Sequence, residues 1–526
     1  MKNINLTNGF TGLRRSCLAA CLCLPFAILT TAKAQTATYR ITKYGAVADG
    51  KTDNTRAIQK AINTAAENGG GIVLVPAGKF VTGVIYLKSN INLHFQKGGA
   101  LLATTNRIDY GPQKASALIV ADNAQHVAIT GAGTIDGRGD ALLKDIYRML
   151  KAGTLKDDEW QKYNDWHQMR PEENNRPHII DFTNCQDVTV KNITIKDGLC
   201  WIQDYRNCSD MVFDSIKVIS NTFLNNDGID LVDCKNAKIT NSFFNVADDG
   251  VCLKSSDANS FCENIEIANC RIRSSASAFK MGTASWGGFK KIKVHDIYVY
   301  DTYRSAIAIE TVDGGIIEDI DIRNVTAKNT GNAIFIRLGQ RNKKANPGVL
   351  RRVYIGNVKA QVPAGKPDAG YHMDGPEVRF KHHVFPSGID GIKGYNVQDV
   401  TLENVDIAYE GTVKKDYPKF DISKLDTIPE VISNYPEFSM FGELPAWGFY
   451  VRHAEGITFK NVKLSYLKND LRIACIFDDV KSLNIDGLNI SKMQITPAVI
   501  IKNSTTTAIN NITVAGKKDE RNILIK

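Results

Sequence analysis

The chain has 526 residues, 43% of them hydrophobic, and a formal net charge of +9 at pH 7. This content is enough to bury a large core, and the chain has no basic stripe or aromatic-interleaved motif of the kind that binds nucleic acid. No apolar run reaches the roughly 18 residues that a membrane-spanning helix needs, so we expect no such span.

The first residues are typical of a secretion signal. Basic residues open the segment, an apolar run covers residues 17–29, and Ala32-Lys33-Ala34 has the small-residue pattern of a cleavage site. We therefore expect residues 1–34 to be a cleaved signal peptide and the mature chain to be secreted or periplasmic. A lipoprotein anchor at Cys21 is the less favoured alternative, because the apolar stretch before it is short and continues past it.

Eight of the eleven cysteines follow the predicted signal peptide. Several recur at coil-like intervals inside apolar strands, where cysteine acts as a small hydrophobe. We therefore expect buried free thiols rather than a disulfide framework. Their spacing matches no zinc-ligand pattern, and we expect neither a metal nor another cofactor. The eight are Cys185, Cys200, Cys208, Cys234, Cys252, Cys262, Cys270 and Cys475.

A short helix is predicted near the start of the mature chain. Asp53 or Asn54 would cap it, and residues 69–71, all glycine, would end it before a strand at 72–75. Such a helix would cover the first coil of the repeats described next. Its apolar face would comprise Ala57, Ile58, Ala61 and Ile62.

One pattern recurs along the chain: an apolar-x-apolar segment, a corner ending in Asn or a substitute, and a second apolar-x-apolar segment. Alternation over so few residues is the periodicity of a strand. Successive units begin 23–28 residues apart between Val188 and Ile320, and such a period indicates a repeat architecture whose units bury their inner faces only by stacking. One unit begins at Met211, and the others are residues 188–195, 237–244, 265–272, 292–299, 320–327, 353–360, 400–407, 457–464 and 483–490.

Asparagine occupies the same corner in seven of these units: Asn192, Asn241, Asn269, Asn324, Asn357, Asn404 and Asn461. Asparagine tolerates left-handed backbone and bonds locally in turns, so the stacked amides would form a hydrogen-bonded ladder. We infer an all-β fold, a single-stranded parallel β-helix forming one catalytic domain over residues 35–526, with the short helix as its N-terminal cap.

Asp227, Asp248 and Asp249 are the residues most informative about function. Asp248 and Asp249 follow Asp227 by 21 and 22 residues, about one coil, and residues one coil apart stack roughly 4.8 Å apart. Like charges that close resist simultaneous ionisation, so one carboxyl keeps a proton at a raised pKa. Hydrolysis of a glycosidic bond needs that combination of a protonated acid and an ionised base. The alternative, for any single Asp-Gly, is a turn former.

Three stretches interrupt the repeats, near residues 140–176, 362–396 and 412–447. Long insertions in a regular scaffold usually border a functional site. We expect the first two to wall the substrate groove; the alternative is solvated decoration.

Five motifs stand in order along the chain: Tyr44-Gly45-Ala46-Val47-Ala48-Asp49-Gly50, Gly133-Thr134-Ile135-Asp136-Gly137, Arg176-Pro177, Asn226-Asp227-Gly228 and Asp248-Asp249. In this order they resemble glycoside hydrolase family 28, which comprises polygalacturonases, rhamnogalacturonases and related exo-enzymes. The resemblance runs from about Tyr44 to at least Arg341. It implies a right-handed β-helix, acting as a monomer on a pectic or related acidic polysaccharide or oligosaccharide.

The resemblance also implies roles for the three acids. Asp248 would be the general acid that protonates the leaving oxygen, and Asp227 and Asp249 would activate water on the opposite side of the sugar. That is an inverting mechanism, which needs roughly 6.5–9.5 Å between acid and base to admit the water.

Two positions depart from the family pattern. Ser277 stands where the family has the histidine of a Gly-His-Gly segment, and Lys280 would take over an electrostatic role there. The family's Arg-Ile-Lys segment, which grips a uronate carboxylate, reads Ala308-Ile309-Glu310. Glu310 would instead accept hydrogen bonds from neutral sugar hydroxyls.

Three further cations are expected to bind substrate. Lys254 is similar to a lysine of bacterial members and would hold a uronate carboxylate or lower an aspartate pKa. Arg337 and Arg341 would restore positive charge from other strands, since arginine favours bidentate contact with carboxylates. The alternative for each is a solvated surface residue.

Two other functions stay open from the sequence. A lyase on the same scaffold would use calcium and a basic side chain, for which Lys254 and Lys280 are the candidates. A carbohydrate-binding or adhesive β-helix without turnover would explain the two departures from the family pattern.

Overall fold

A computed structural model of the chain describes residues 37–112, 114–162, 171–368, 385–411 and 422–526. The predicted signal peptide, residues 1–34, lies outside these ranges and stays a prediction. Parts of all three insertions also lie outside them.

The described strands form a right-handed parallel β-helix, as predicted. Each coil contributes one strand to each of three sheets, and every strand pairs in parallel with its counterpart in the next coil. We name the sheets A, B and C. Strands of sheet A alone are Ile85–Tyr86, Ile119–Asp122, Ile180–Thr183, Gln203–Arg206, Ile229–Val232, Val251–Ser255, Phe279–Ser285, Ser387–Asp390, Ile473–Lys481, Val499–Lys502 and Ile523–Ile525.

Sheets B and C make up the other two sides of the coil. Strands of sheet B are Thr38–Arg40, Gly71–Val75, Ile91–Phe95, Gln125–Gly131, Gln186–Lys191, Ser209–Asp214, Lys235–Thr240 and Cys262–Ala268. Strands of sheet C are Asp49–Asp53, Gly78–Thr82, Gly99–Ala103, Thr134–Asp136, Thr194–Lys196, Lys217–Ser220, Phe243–Val246 and Arg271–Ser274. Later strands bend through a corner and serve two or three sheets: Gly288–Thr311, Ile316–Leu338, Val349–Val362, Val397–Tyr409, Ala446–Tyr466, Leu483–Ile490 and Thr506–Val514.

Alternating side chains fill the inside of the coil. Val188 and Val190 in sheet B and Ile195 in sheet C are fully buried, while Thr189 and Thr194, which alternate with them, are partly exposed. The same alternation in each coil joins these side chains into one hydrophobic core along the helix axis. The alternation of apolar and polar residues in the sequence therefore predicts both where a strand lies and which of its side chains point inward.

The corner asparagines adopt the predicted left-handed backbone. All seven have φ between 52° and 57°. The Asn324 amide donates to Asp296 at 3.0 Å, and Asn357 donates to Asn324 at 3.0 Å. Asn404 donates to Asn357 at 3.1 Å, and Asn461 donates to Asn404 at 2.7 Å. The predicted ladder is therefore confirmed over these coils, where it fixes the corner between sheets B and C.

The predicted N-terminal helix is present as Thr55–Glu67. Its buried side chains cover the first coil, which is the expected role of a cap. They are Ile58, Ala61, Ile62 and Ala65. The other described helices are the α-helices Gly139–Lys151 and Asp158–Lys162 and the 3₁₀ turns Ile41–Tyr44, Arg107–Tyr110, Glu173–Asn175, Ile422–Thr427 and Glu520–Asn522. Within the described ranges, no helix combines the length and apolar character that crossing a membrane requires.

All eight cysteines of the described chain are buried free thiols, as predicted. Several donate weak hydrogen bonds to backbone carbonyls of the neighbouring coil; Cys234, for example, lies 3.2 Å from the carbonyl of Tyr205. Their role is therefore that of small core residues.

Residues 422–445, which we call the cover segment, lie against the outer face of sheet A. The segment forms a second hydrophobic cluster with sheet A side chains such as Phe335, Tyr450 and Ile476. Its own contributions are Leu425, Ile428, Phe438, Met440, Phe441 and Leu444. One side of sheet A is thus buried under a second layer over the C-terminal coils.

Asn357→Ala tests the corner ladder. The alanine loses the amide bonds to two coils and must hold a φ of 55°, which costs an L-residue with a Cβ about 1–2 kcal/mol. With about 0.5–1.5 kcal/mol for a lost hydrogen bond, we expect the free energy of unfolding to fall by about 2–3 kcal/mol in urea titrations.

Asn357→Gly is the matched variant, because it loses the same amide but tolerates the backbone angle. We expect a smaller loss than for the alanine variant. Equal stability of both variants and the wild type would show that the ladder contributes nothing.

Candidate active site

The three acids lie on the turns that lead into sheet A. Asp227 precedes the strand Ile229–Val232, and Asp248 and Asp249 precede the next strand, Val251–Ser255. The two turns stack, since the Gly228 N–H donates to the Asp249 carbonyl at 2.9 Å. One carboxylate oxygen from each acid lies within 4.8 Å of the others. The structure therefore brings the three acids together, as their one-coil offset predicts.

The flanking residues explain why the turns stack so closely. A Cβ on Gly228 would lie 2.4 Å from the Gly250 carbonyl, and one on Gly250 would lie 2.6 Å from the Ala278 carbonyl. Asn226 is fully buried, and its side-chain oxygen Oδ1 accepts from the Ser220 hydroxyl at 2.8 Å. Glycine at the close approach and asparagine inside the turn thus set the position of each acid.

The spacing of the acids leaves the expected inverting mechanism untested. The 4.8 Å limit joins one carboxylate oxygen of each acid, whereas the roughly 6.5–9.5 Å expected between acid and base separates whole carboxyl groups. Stacking on adjacent coils brings the acids this close. Carboxylate separation therefore does not by itself assign the stereochemical course.

The three acids differ in their protonation. Burial, with the charges of Asp227 and Asp249, raises the pKa of Asp248 to about 8. The pKa of Asp249 is lowered although burial opposes this, because Lys280, Lys254, the Ser277 backbone N–H and nearby charge stabilise its ionised form. Burial raises the pKa of Asp227 against the attraction of Lys254. At neutral pH the site therefore holds a protonated Asp248 beside an ionised Asp249.

Lys254 lies behind Asp227 rather than in open solvent. Its ammonium is 3.0 Å from Asp227 Oδ2, also contacts Asp230, and lies 4.0 Å from the centre of the Trp201 ring. Only 12% of its side chain is exposed. Of the two roles predicted for Lys254, this placement favours the electrostatic one, acting on an aspartate.

Lys280 supports Asp249 in the same way. Its buried ammonium is 3.0 Å from Asp249 Oδ2 and 4.0 Å from Glu310. Burial raises the pKa of Glu310 to about 8, so this side chain is protonated at neutral pH. Ser277, which stands in place of the family histidine, donates its backbone N–H to Asp249 Oδ1 at 3.0 Å.

The cover segment supplies two site residues that the sequence did not predict. Lys280 donates to the Tyr435 hydroxyl at 2.9 Å, and the Arg304 guanidinium lies 5.5 Å from the Tyr435 ring. Glu437 pairs with Arg304 at 3.3 Å. Tyr435 is 44% exposed, so one side of its ring faces solvent while its hydroxyl contacts Lys280. The third insertion therefore walls the site through its described residues.

Arg337 and Arg341 are placed differently from each other. Arg337 is buried one coil beyond Glu310 and donates to the backbone carbonyls of Gly391 and Glu430 at 2.8 and 2.9 Å. That placement favours a structural role over contact with substrate. Arg341 makes a two-pronged contact with Asp313 at 2.6 and 3.0 Å and remains partly exposed, so it is the arginine of the two that a ligand can reach.

The first insertion also borders the site. Arg176 is buried and donates to the Leu224 carbonyl at 2.7 Å and to the side chain of Asn225 at 2.9 Å. Asn225 in turn donates to Asp248 Oδ2 at 3.4 Å. Of the second insertion, residues 369–384 lie outside the described ranges.

Three groups of side chains in the described chain are close enough together to hold a metal ion. In each, a cation already neutralises a carboxylate: Arg206 beside Asp204, Lys254 beside Asp227, and Lys280 beside Asp249. A metal would have to compete with these cations. The groups are His178, Asp181 and Asp204; Asp227, Asp230 and Cys252; and the three acids themselves.

Known proteins share both sequence and fold with this chain. A probable polygalacturonase of Vitis vinifera is 25% identical over 69% of this chain and 68% of its own length. An endo-polygalacturonase of Pectobacterium carotovorum subsp. carotovorum is 24% identical over 68% of this chain and 85% of its own length.

Among solved structures, an exopolygalacturonase of Thermotoga maritima aligns over 71% of this chain and 87% of its own, with a TM-score of 0.56 and 23% identity. A family 28 exopolygalacturonase of Yersinia enterocolitica aligns over 92% of this chain and 79% of its own, with a TM-score of 0.51 and 17% identity. These two structures agree in fold.

The model of glycosyl hydrolases family 28 matches residues 69–370, which is more than half of the chain and includes all three acids. The chain therefore belongs to glycosyl hydrolases family 28 and is a glycoside hydrolase.

Proposed function

We propose that this hydrolase cleaves a glycosidic bond in a pectic or related acidic glycan, with Asp248 as general acid and Asp249 as general base. The observation that carries the assignment is the opposite displacement of two adjacent pKa values, raised for Asp248 and lowered for Asp249. Such pairs identify acid and base in glycosidases. The pectic substrate carries over from the named activities of the relatives.

In the proposed reaction, Asp248 gives its proton to the leaving glycosidic oxygen as the bond to the anomeric carbon breaks. Asp249 takes a proton from the attacking water, whose oxygen bonds to the anomeric carbon. Asp227 would share the binding of this water, and its carboxyl group lies beside the Lys254 ammonium. Asp248 then regains a proton from solvent and Asp249 releases the one it took, which restores the starting state.

Lys254 and Lys280 are positioning residues in this scheme. Each ammonium holds one carboxylate, Lys254 that of Asp227 and Lys280 that of Asp249. The neighbouring carboxylates raise the pKa of both lysines well above the usual value. Both therefore remain protonated, which disfavours the lyase alternative, because elimination needs an unprotonated base. Membership of a hydrolase family likewise disfavours binding without turnover.

Asp248→Asn tests the general acid. An amide of the same shape cannot donate a carboxylic proton, and we expect kcat/KM on a pectic oligosaccharide to fall by about 10²–10⁴-fold. Asp321→Asn is the matched control, since Asp321 pairs with Arg323 on the surface and should leave kcat/KM unchanged. Wild-type kcat/KM in Asp248→Asn would overturn the assignment.

The product anomer, followed by NMR from the first turnover, tests the stereochemical course. Inversion gives an anomer opposite to that of the cleaved linkage. Retention would remove Asp249 from the role of base, since it would have to act as a nucleophile.

Lys280→Met tests how the charge of Lys280 sets the pH range. In the wild type, kcat/KM should fall as pH rises through about 8, where Asp248 loses its proton, and as pH falls through the lowered pKa of Asp249. Lys280 lowers the pKa of both acids. Removing its charge raises both pKa values, so we expect both limbs of the pH profile to move to higher pH.

Lys291→Met is the control for this shift. Lys291 is exposed and contacts only the surface acid Glu263 among the ion pairs of the described chain. Its replacement should leave both limbs in place. A Lys280→Met profile that matches the wild type would contradict the proposed coupling.

A further inference from the structure

A cavity of about 380 Å³ adjoins the three acids on the side of the earlier coils. It shares a wall with them, because Trp201 lines the cavity and its ring faces Lys254, which contacts Asp227. Its size is within the range of sites that hold small ligands. The lining residues used below are Trp201, His178, Asp204, Asp181, Arg206 and Glu173.

Two polar atoms in the wall have no hydrogen-bond partner in the described chain. Asp204 is 1% exposed, and while its Oδ2 accepts from Arg206 at 2.8 Å, its buried Oδ1 has no donor. His178 Nδ1 is likewise buried without a partner, 3.7 Å from Asp204 Oδ2. Buried polar atoms in native proteins are normally paired. A carboxylate oxygen can only accept, so the partner that Asp204 Oδ1 lacks is a hydrogen-bond donor.

The charge of the wall decides the kind of donor. Glu172, Glu173, Asp181 and Asp204 line the cavity, and the one lining arginine, Arg206, already pairs with Asp204. Burial and nearby cations lower the pKa of His178 to about 3, so its ring is neutral. A uronate carboxylate placed here would meet acids without a free cation, whereas sugar hydroxyls supply donors and carry no charge.

We propose that this cavity is a subsite for an uncharged sugar residue of the glycan that the three acids hydrolyse. The inference rests on the proposed function. It narrows the substrate class to pectic glycans in which a neutral glycosyl residue lies close to the cleaved bond, as opposed to chains with a uronate at every position. The Asp204 oxygen and the His178 ring accept or share its hydroxyl hydrogens.

The test compares two oligosaccharides of equal length. One contains galacturonic acid alone, and in the other galacturonic acid alternates with rhamnose. We expect the wild-type enzyme to show a higher kcat/KM on the alternating substrate. Asp204→Asn removes the charge and one acceptor while keeping the shape, so we expect the ratio of the two kcat/KM values to fall by about tenfold.

Two further variants keep the test interpretable. Asp181→Asn changes a less buried acid of the same wall and should shift the ratio in the same direction, even if Asp204→Asn fails to fold. Asp321→Asn, on the surface, should leave the ratio unchanged. A preference of the wild type for the all-uronate chain, unaltered by Asp204→Asn and Asp181→Asn, would overturn the subsite while leaving the hydrolytic function standing.

Binding measured without turnover tests the subsite independently of the proposed hydrolysis. In the Asp248→Asn enzyme, calorimetry should show tighter binding of the alternating oligosaccharide, and adding Asp204→Asn should remove the difference. If wild type hydrolyses neither substrate but this difference is present, the proposed function fails and the subsite stands. Calcium binding that Asp204→Asn abolishes would assign the cavity to a cation and overturn the proposal.

Discussion

The spacing of stacked coils, about 4.8 Å, is the constraint on which the charged face of this molecule depends. A side chain on the outer face of sheet A meets its counterparts in the coils before and after it. One register column of sheet A shows the consequence, since acidic and basic side chains alternate in it along the helix. The column consists of Glu310, Arg337, Asp390, Arg452, Asp478 and Lys502. Where acidic and basic side chains alternate, each cation has a carboxyl group beside it. Where acids stack on acids, as at Asp227 and Asp249, a lysine or a retained proton is needed.

The same column explains how the cover segment is held in place. Arg337 donates to the backbone carbonyl of Glu430, and Arg452 donates to that of Ile428 and pairs with the Glu430 carboxylate at 2.8 Å. Both arginines therefore find hydrogen-bond acceptors in the cover segment. The segment, anchored in this way, brings Tyr435 to the acids. Arg337, which the sequence predicts to bind substrate, instead contacts the cover segment. Its effect on the site would therefore be indirect, through the position of that segment.

Contacts between residues one coil apart could be predicted from the sequence. Contacts between the coils and the inserted segments could not. The asparagine ladder and the grouping of the three acids both follow from a repeat of about one coil, which alternation and corner residues reveal. The contact of Lys280 with Tyr435 spans 155 residues and has no periodic signal. The sequence left two roles open for Lys254, because only its burial and its distance from Asp227 distinguish them.

The two departures from the family pattern, around Lys280 and at Glu310, lie next to each other in the structure. Lys280 pairs in register with Ala308, and its ammonium reaches both Asp249 at 3.0 Å and Glu310 at 4.0 Å. A lysine at position 310, as the family segment would have, could place a second buried cation near this ammonium. Two like charges 4 Å apart repel by about 4 kcal/mol at an effective dielectric constant of 20. Glutamate at position 310 is therefore compatible with lysine at 280, and lysine is not. The family has a cation that grips a uronate at position 310, whereas this chain has one a coil earlier, at Lys280. There it contacts Asp249 and lowers the pKa of the proposed base. A sugar bound near Glu310 consequently needs no carboxylate, in keeping with the uncharged subsite inferred beside Asp204.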